Sequence, residues 1–139
     1  MKSIFAALTA ALVTTVALPA AAQQFSDNKI KIGILNDQSG VYADFGGKWS
    51  YEAAKMAVED FGGKVKDMPV EVVTADHQNK ADIASNIARQ CSDTEQVDAI
   101  MELTTSSVAL AVQGISAEKK KIDIVTGAAT SDLTGKACS

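Results

Sequence analysis

Aromatic residues and positive charge are both scarce in this sequence. Only 5% of its 139 residues are Phe, Trp or Tyr, and 17 Asp and Glu residues outnumber 13 Lys and Arg residues. A nucleic-acid-binding protein needs a basic surface to neutralise phosphates, so this composition argues against DNA or RNA as a partner. After Ala22, no apolar run approaches the roughly 20 residues that a membrane-spanning helix needs.

The residue patterns of common enzyme and metal sites are also missing. The sequence contains neither the Gly-x-Gly-x-x-Gly pattern of dinucleotide-binding enzymes after its first predicted strand nor a phosphate-binding loop. It has no Gly-x-Ser-x-Gly nucleophile motif, and its two cysteines are not spaced as metal ligands. The only histidine, His77, lies in a polar loop and is interpreted as a solvated surface residue. We therefore expect no catalytic residue, no metal site and no cofactor.

The N-terminus has the pattern of a secretory signal peptide. Lys2 supplies a positive charge, a short apolar run follows, and three alanines end at Ala22. The alternative is a membrane anchor, but the apolar run is shorter than the roughly 20 residues that a spanning helix requires. We predict a signal peptide over residues 1–22 and a mature domain of residues 23–139 that works outside the cytoplasm.

Two cysteines leave the redox state of the domain open. Export makes a disulfide between Cys91 and Cys138 possible. Cys91 also falls on the apolar face of a predicted helix, so a buried free thiol is an equally good interpretation. Cys138 could instead pair with a residue beyond Ser139. The sequence does not decide between these alternatives.

The rest of the chain alternates between strands and helices. Runs rich in β-branched residues predict strands, and apolar residues at helical spacing predict helices. In chain order the predicted elements are a strand over Lys29–Asn36, a helix over Lys48–Phe61, a strand over Pro69–Ala75, a helix over Asp82–Cys91, a strand over Val97–Met101, a helix over Ser106–Lys119 and a strand over Ile122–Val125. The apolar face of the first helix is predicted to contain Trp49, Ala53, Met56, Ala57 and Phe61. This βαβαβαβ order predicts an α/β domain with a parallel sheet flanked by helices on both faces.

The carboxyl ends of the predicted strands confine the search for a ligand site. Ligands of parallel α/β sheets bind outside these ends, which here are the loops of residues 36–45, 76–80, 102–107 and 126–133. The first loop contains the only two aromatic residues among them. Each of these, Tyr42 and Phe45, either lines a pocket or only packs the loop.

Four consecutive hydroxyl residues, Thr104–Ser107, open the third predicted helix. One hydroxyl would suffice as an N-cap, whereas four at the ligand-binding edge of a sheet favour an anion site. Backbone N–H groups and the helix dipole attract a carboxylate to such a position. The loop over Gly127–Asp132 offers small side chains, hydroxyls and backbone carbonyls, which suit an ammonium group and a carboxylate.

Four segments occur in a characteristic order: Ile32–Gly40, Glu52–Asp60, Thr105–Val112 and Gly127–Gly135. Together they resemble the type I periplasmic solute-binding proteins, and in particular the leucine/isoleucine/valine-binding branch of the amino-acid ABC importers. That family has two lobes that close over a ligand. The resemblance implies that residues 23–139 form the N-terminal part of a Rossmann-like first lobe. Since the chain ends in a loop, we expect it to be truncated, without the second lobe.

The resemblance also implies a set of ligand-binding residues. Hydroxyl residues that meet the ligand carboxylate in that family match the start of the third predicted helix. A turn that holds the α-amino and carboxylate groups matches the loop after the fourth predicted strand, and an aromatic residue at the cleft mouth matches the first loop. The residues carried over in this way are Thr105 and Ser106, then Ala128, Ala129 and Thr130, and finally Phe45.

The function that the resemblance implies is capture of a solute without chemistry. The expected protein is the extracytoplasmic solute-binding component of an ABC importer, located in the periplasm, for an amino acid or a related small carboxylate or amide. Its partners would be the solute and an inner-membrane permease, and it would be a monomer and not an enzyme. The alternative is a ligand-sensing domain of the same fold in a receptor or regulator. One departure is Thr104, which stands where the family often has a disulfide-bonded cysteine, so that disulfide is not expected here.

Overall fold

The computed structural model describes residues 26–139, so the signal peptide predicted over residues 1–22 lies outside the described residues. The strands are β1 (Ile30–Asn36), β2 (Lys64–Val65), β3 (Met68–Asp76), β4 (Ala99–Glu102) and β5 (Ile122–Val125). The helices are α1 (Gly47–Phe61), α2 (Ala81–Asp93) and α3 (Ser106–Lys119), with short 3-10 helices at Ser26–Asn28 and Ser131–Thr134. None of the helices within the described residues has both the length and the apolar composition to cross a membrane.

The strands form one five-stranded sheet in the order β2-β3-β1-β4-β5. β1 pairs in parallel with β3 on one side and with β4 on the other, and β4 pairs in parallel with β5. The predicted α/β class and the parallel sheet are therefore confirmed. The chain leaves β1 toward β3 but leaves β4 toward β5, so the two connections diverge between β1 and β4. Ligand clefts of α/β sheets form at switch points of this kind.

The short strand β2 was not predicted from the sequence. Lys64 and Val65 pair antiparallel with Pro69 and Met68 at the edge of the sheet. A two-residue strand is too short to show the alternation that marks a strand in a sequence. The observed element order is therefore βαββαβαβ, and the sheet is mixed at this one edge.

Helices lie on both faces of the sheet, as predicted. Side chains alternate between the faces along a strand, so Ile32 and Leu35 point to opposite sides. Ile32 borders a groove together with Val58 of α1, whereas Leu35 belongs to the core formed with α2 and α3. The buried core residues are Leu35, Ala84, Ala88, Cys91, Val97, Ile100, Leu103, Val108, Ala109, Val112 and Ile115. This core fixes the ends of β1 and β4, from which two of the four predicted ligand loops extend.

The apolar face predicted for α1 is present on the helix but is largely exposed, since its spacing predicted the helix and not whether the face is covered. Trp49, Met56 and Phe61 are 65%, 62% and 69% exposed, and the two alanines between them are exposed as well. α1 packs mainly on β1 and β3, with Ala54 and Val58 among its half-buried residues. Apolar side chains cover more of the helix circumference than this single contact can bury.

Both cysteines are free, and they do not pair with each other. Cys91 is buried on α2, and burial raises the pKa of its thiol to about 11. A thiol in this environment behaves as a small apolar side chain and is chemically inert. Of the alternatives that the sequence left open for Cys91, the structure favours the buried thiol, whereas Cys138 is exposed.

Candidate functional site

A cavity of about 490 Å³ opens at the carboxyl edge of the sheet, beside the switch point between β1 and β4. Small-molecule sites typically measure about 300–1,000 Å³. The lining residues come from the loops after β1, β4 and β5, and they are Tyr42, Phe45, Thr104, Thr105, Ser106, Ser107, Gly127 and Ala129. The fold therefore brings three of the four predicted loops together, while the loop of residues 76–80 does not line the cavity.

One side of the cavity is a hydroxyl wall, defined as Thr104–Ser107. Thr105 occupies the N-cap position of α3, but its side chain makes no capping hydrogen bond. The Oγ1 atoms of Thr104 and Thr105 are buried and have no hydrogen-bond partner within residues 26–139. The first N–H groups of an α-helix have no partner inside the helix, and the dipole adds positive potential there. The hydroxyl wall thus combines unsatisfied donors with a site that favours an anion.

A second part of the lining is an aromatic wall, defined as Tyr42 and Phe45, which are 44% and 71% exposed. The carboxylate of the fully buried Asp37 shapes the preceding turn, since it accepts the N–H groups of Gly40 at 2.7 Å and of Tyr42 at 2.9 Å. Both aromatic residues line the cavity. Such side chains can cover the apolar body of a ligand whose charged end lies elsewhere.

Asp76, the last residue of β3, stabilises the loop after β1 through hydrogen bonds. Its carboxylate accepts the N–H groups of Gln38 at 2.9 Å and of Gln78 at 2.8 Å, and the hydroxyl of Ser39 at 2.6 Å. Burial alone would raise the pKa of the Asp76 carboxyl, but these hydrogen bonds hold the pKa below its ordinary value. The ionised carboxylate therefore links the loop after β1 to the loop after β3.

Gly127 lies close to both walls and defines the floor of the cavity. A Cβ atom at this position would lie 3.2 Å from Cγ2 of Thr104 and 3.4 Å from Cε1 of Phe45. The distance to Thr104 is shorter than ordinary van der Waals contact, so a side chain at this position would displace Thr104 slightly and lie against Phe45. Gly127 therefore allows the loop after β5 to approach both walls closely.

The structure brings together four of the six predicted site residues. Phe45, Thr105, Ser106 and Ala129 line the cavity, whereas Ala128 and Thr130 are not among the lining residues. Ala128 packs against the core, and the hydroxyl of Thr130 accepts the N–H of Asp132 at 3.2 Å, which caps the second 3-10 helix. That any of the six binds a ligand stays a prediction.

Thr104 and Gly127 also line the cavity, and both lie in predicted ligand loops, but neither was among the six predicted site residues. Thr104 belongs to the predicted run of four hydroxyls, but the resemblance carried over only Thr105 and Ser106 from that run as ligand-binding residues. Gly127 opens the predicted loop after β5 and has no side chain to suggest chemistry. A glycine directly after a strand, at the edge where ligands bind, is the pattern that would have pointed to a close approach of backbone.

His77 is fully buried, so its interpretation as a solvated residue was wrong. Its backbone N–H donates to the carbonyl of Asn36 at 3.0 Å, and its Nδ1 accepts the N–H of Asn79 at 3.1 Å. Burial lowers the pKa of the imidazole, although the carboxylates of Asp37 and Asp76 oppose this shift. His77 does not line the cavity, and no group of three or more His, Cys, Asp or Glu side chains in residues 26–139 is placed to hold a metal ion.

The free energy of unfolding is expected to fall as the pH decreases from 7 to 5. The folded-state pKa of His77 lies below the ordinary value of 6.5, so the unfolded chain binds more protons in this interval and gains stability relative to the folded one. One proton gives a slope of at most about 1.4 kcal/mol per pH unit, which levels off below the folded-state pKa. Urea denaturation at a series of pH values measures this slope, and His77→Gln should flatten it. An unchanged slope in the variant would show that His77 is not buried in its neutral form.

Comparison with known proteins finds relatives of this chain. The profile of the family described as periplasmic binding protein matches residues 29–139. A solved periplasmic binding protein from Burkholderia mallei is 49% identical, with a TM-score of 0.78, over 81% of this chain and 30% of that chain. A branched-chain amino acid ABC transporter periplasmic ligand-binding protein from Burkholderia xenovorans LB400 is 42% identical, with a TM-score of 0.76, over 80% of this chain and 30% of that chain. An ABC transporter solute-binding protein from R. palustris in complex with 4-hydroxybenzoate is 32% identical, with a TM-score of 0.69, over 78% of this chain and 29% of that chain.

These solved relatives are much longer than the present chain, which spans about 30% of their length. A search of the curated proteins found no match. The matched region includes β1 to β5 and all three loops around the cavity.

Proposed function

Because this chain belongs to the periplasmic binding protein family, whose profile matches residues 29–139, we propose that it binds a small carboxylate-bearing solute in the cavity at the sheet edge. The solute is an amino acid or a related small carboxylate or amide, and it is bound without chemical conversion. In this proposal the chain acts as a monomer in the periplasm, as part of the solute-binding component of an ABC importer. An inner-membrane permease receives the solute.

The observation that carries this proposal is the hydroxyl wall. The buried Oγ1 atoms of Thr104 and Thr105 have no hydrogen-bond partner within the described part of the chain. A buried polar group without a partner costs about 1–3 kcal/mol. A carboxylate in the cavity would accept hydrogen bonds from these hydroxyls and from the first N–H groups of α3, which removes that cost.

The aromatic wall supports a ligand with an apolar body. Tyr42 and Phe45 line the same cavity as the hydroxyl wall, so a solute held by its carboxylate could place its apolar part against the two rings. One solved relative forms a complex with 4-hydroxybenzoate, and another is a branched-chain amino acid ABC transporter ligand-binding protein. 4-Hydroxybenzoate and branched-chain amino acids each contain a carboxylate and an apolar group, which is the combination that the two walls favour.

The chain by itself is expected to bind such a solute weakly. Closure of two lobes over a ligand depends on contacts made to both of them, and this chain spans about 30% of its relatives. A micromolar complex corresponds to about −8 kcal/mol, and half of that free energy gives a millimolar complex. Affinity is therefore best measured in a hybrid protein, in which residues 29–139 replace the matching segment of the Burkholderia xenovorans protein.

Thr105→Val in the hybrid protein tests the proposed function. Valine keeps the shape of threonine but removes the hydroxyl, so the Kd for leucine, isoleucine, valine or benzoate should rise about tenfold, the value of one hydrogen bond to a charged group. Isothermal titration calorimetry measures this change for each solute that the unmodified hybrid protein binds. Thr94→Val is the matched control, because Thr94 is exposed at the end of α2, remote from the cavity lining. Equal Kd values for Thr105→Val and Thr94→Val, or no binding of any solute by the unmodified hybrid protein, would refute the proposal.

A further inference from the structure

Glu102, the last residue of β4, contacts α1 and the segment that follows β5. Its Oε1 accepts the hydroxyl of Ser50, in the first turn of α1, at 2.8 Å. Its Oε2 accepts the hydroxyl of Thr126, which directly follows β5, and its backbone carbonyl accepts the N–H of Thr126 at 2.9 Å. One half-buried carboxylate thus connects α1, β4 and β5.

Each of these contacts lies next to a lining residue. Thr126 directly precedes Gly127, and Glu102 is two residues before Thr104. On the third side, a Cβ atom on Gly46 would lie only 3.0 Å from Oε1 of Glu102, so the backbone next to Phe45 approaches the carboxylate directly. The carboxylate is therefore the common anchor of the aromatic wall, the floor and the hydroxyl wall.

The backbone at this position is unusual. Glu102 has a φ of 91° and Leu103 has a φ of 54°, although side chains disfavour positive φ. Strained backbone persists where the surrounding structure holds it, and it occurs preferentially at functional sites. Here the fully buried side chain of Leu103 and the two hydroxyl contacts of Glu102 hold the turn that leads from β4 into the hydroxyl wall.

We infer that Glu102 is a positioning residue, which sets the separation of the hydroxyl wall and the aromatic wall and thereby the affinity for the solute. Ser50 and Thr126 are the two hydroxyls through which it acts. The part of this inference that concerns affinity rests on the proposed function, whereas the part that concerns the geometry of the walls does not. The two parts have separate tests.

NMR spectroscopy of the isotope-labelled chain, expressed from its full 139-residue sequence, tests the geometry without any ligand. In the unmodified chain we expect NOEs from the Gly127 Hα protons to the Phe45 ring and to the Thr104 methyl group. Glu102→Gln, which replaces one acceptor oxygen by a donor, should weaken both NOEs. Thr126→Val should weaken mainly the one to Thr104, and Ser50→Ala mainly the one to Phe45.

The control for the geometry test is Glu52→Gln, which removes an exposed carboxylate of α1 that pairs with Lys55 on the surface. It should leave both NOEs unchanged. The inference is overturned if Glu102→Gln, Ser50→Ala and Thr126→Val all keep the NOEs of the unmodified chain. The three variants disrupt the contacts of Glu102 in different ways. If one of them fails to fold, the NOEs of the other two still test the inference.

Titration of the same samples with sodium benzoate and with leucine tests the link to affinity. For each probe that shifts the amide signals of the hydroxyl wall, Glu102→Gln should raise the Kd about tenfold, because walls that are no longer held in place must be ordered when the solute binds. Ile100→Val, a core change away from the cavity lining, serves as a variant with reduced stability and should keep the Kd. An unchanged Kd in Glu102→Gln, or an equal rise in Ile100→Val, would overturn the positioning role. If neither probe shifts any amide signal of the unmodified chain, the result counts against the proposed function. The NOEs still test whether Glu102 sets the geometry of the walls.

Discussion

Gly127→Leu is expected to raise the Kd of the hybrid protein for its solute about a hundredfold. Even a Cβ atom at this position would lie 3.2 Å from Thr104 and 3.4 Å from Phe45. The larger side chain must therefore either fill the cavity or push the two walls apart, and overpacking of this kind costs about 1–3 kcal/mol. Isothermal titration calorimetry with leucine, isoleucine, valine and benzoate gives the Kd before and after the change.

Gly114→Leu provides the matched control for this prediction. Gly114 is exposed on α3, and nothing lies within 4 Å of a Cβ atom there. The same substitution at this position should leave the Kd unchanged, and it removes a glycine from a helix interior, which favours folding. If Gly127→Leu bound the solute as tightly as Gly114→Leu, the cavity at the sheet edge would not be the binding site.

Leu35→Ala should lower the free energy of unfolding of the chain by about 2–5 kcal/mol. Leu35 is 1% exposed and lies on the central strand β1, inside the core formed with α2 and α3. Removal of a buried leucine side chain loses its transfer free energy and leaves a cavity that the surrounding residues fill only in part. Urea denaturation followed by circular dichroism measures this change.

Ile122→Ala is the comparison for Leu35→Ala, because it also shortens an aliphatic side chain in a strand. Ile122 lies on the edge strand β5 and is 52% exposed, so its loss should cost less than about 1 kcal/mol. Equal losses in the two variants would contradict the position of the core between the sheet and the pair α2 and α3.

The regular elements could be predicted because their patterns are local. β-branched runs gave the four parallel strands, and helical spacing gave the three helices. From this order, the parallel sheet and the edge at which its loops meet follow by general rules. The hydroxyl wall was found for the same reason, since Thr105 and Ser106 directly follow a strand end in the sequence.

Burial could not be predicted where it depends on contacts between distant parts of the chain. Periodicity identified the apolar stripe of α1 but not whether anything covers it, and Trp49 and Met56 are exposed. His77 lies in a polar stretch of sequence, yet the fold packs it behind the loop that begins at Asn36. In both cases the local sequence shows whether a residue is polar or apolar. Whether that residue is buried depends on which distant segments the fold packs against it.

The sequence also could not predict which residues within a ligand loop line the cavity. Ala128, Ala129 and Thr130 are consecutive, but only Ala129 lines the cavity. The backbone turn into the second 3-10 helix decides which of the three side chains points to the cavity, and the sequence contains no pattern that predicts this turn. Glu102 opens a predicted loop but was not among the predicted site residues, since its contacts with Ser50 and Thr126 join positions 52 and 24 residues apart.

The central claim is that the hydroxyl wall binds a carboxylate, and chemical-shift mapping on the isotope-labelled chain tests it most directly. Titration with benzoate should shift the backbone amide signals of Thr105–Ser107 and of Gly127 at millimolar concentrations. Benzyl alcohol, which has the same ring without the carboxylate, should leave the Thr105–Ser107 signals in place. Equal shifts with both compounds, or benzoate shifts confined to residues outside the cavity, would contradict the account.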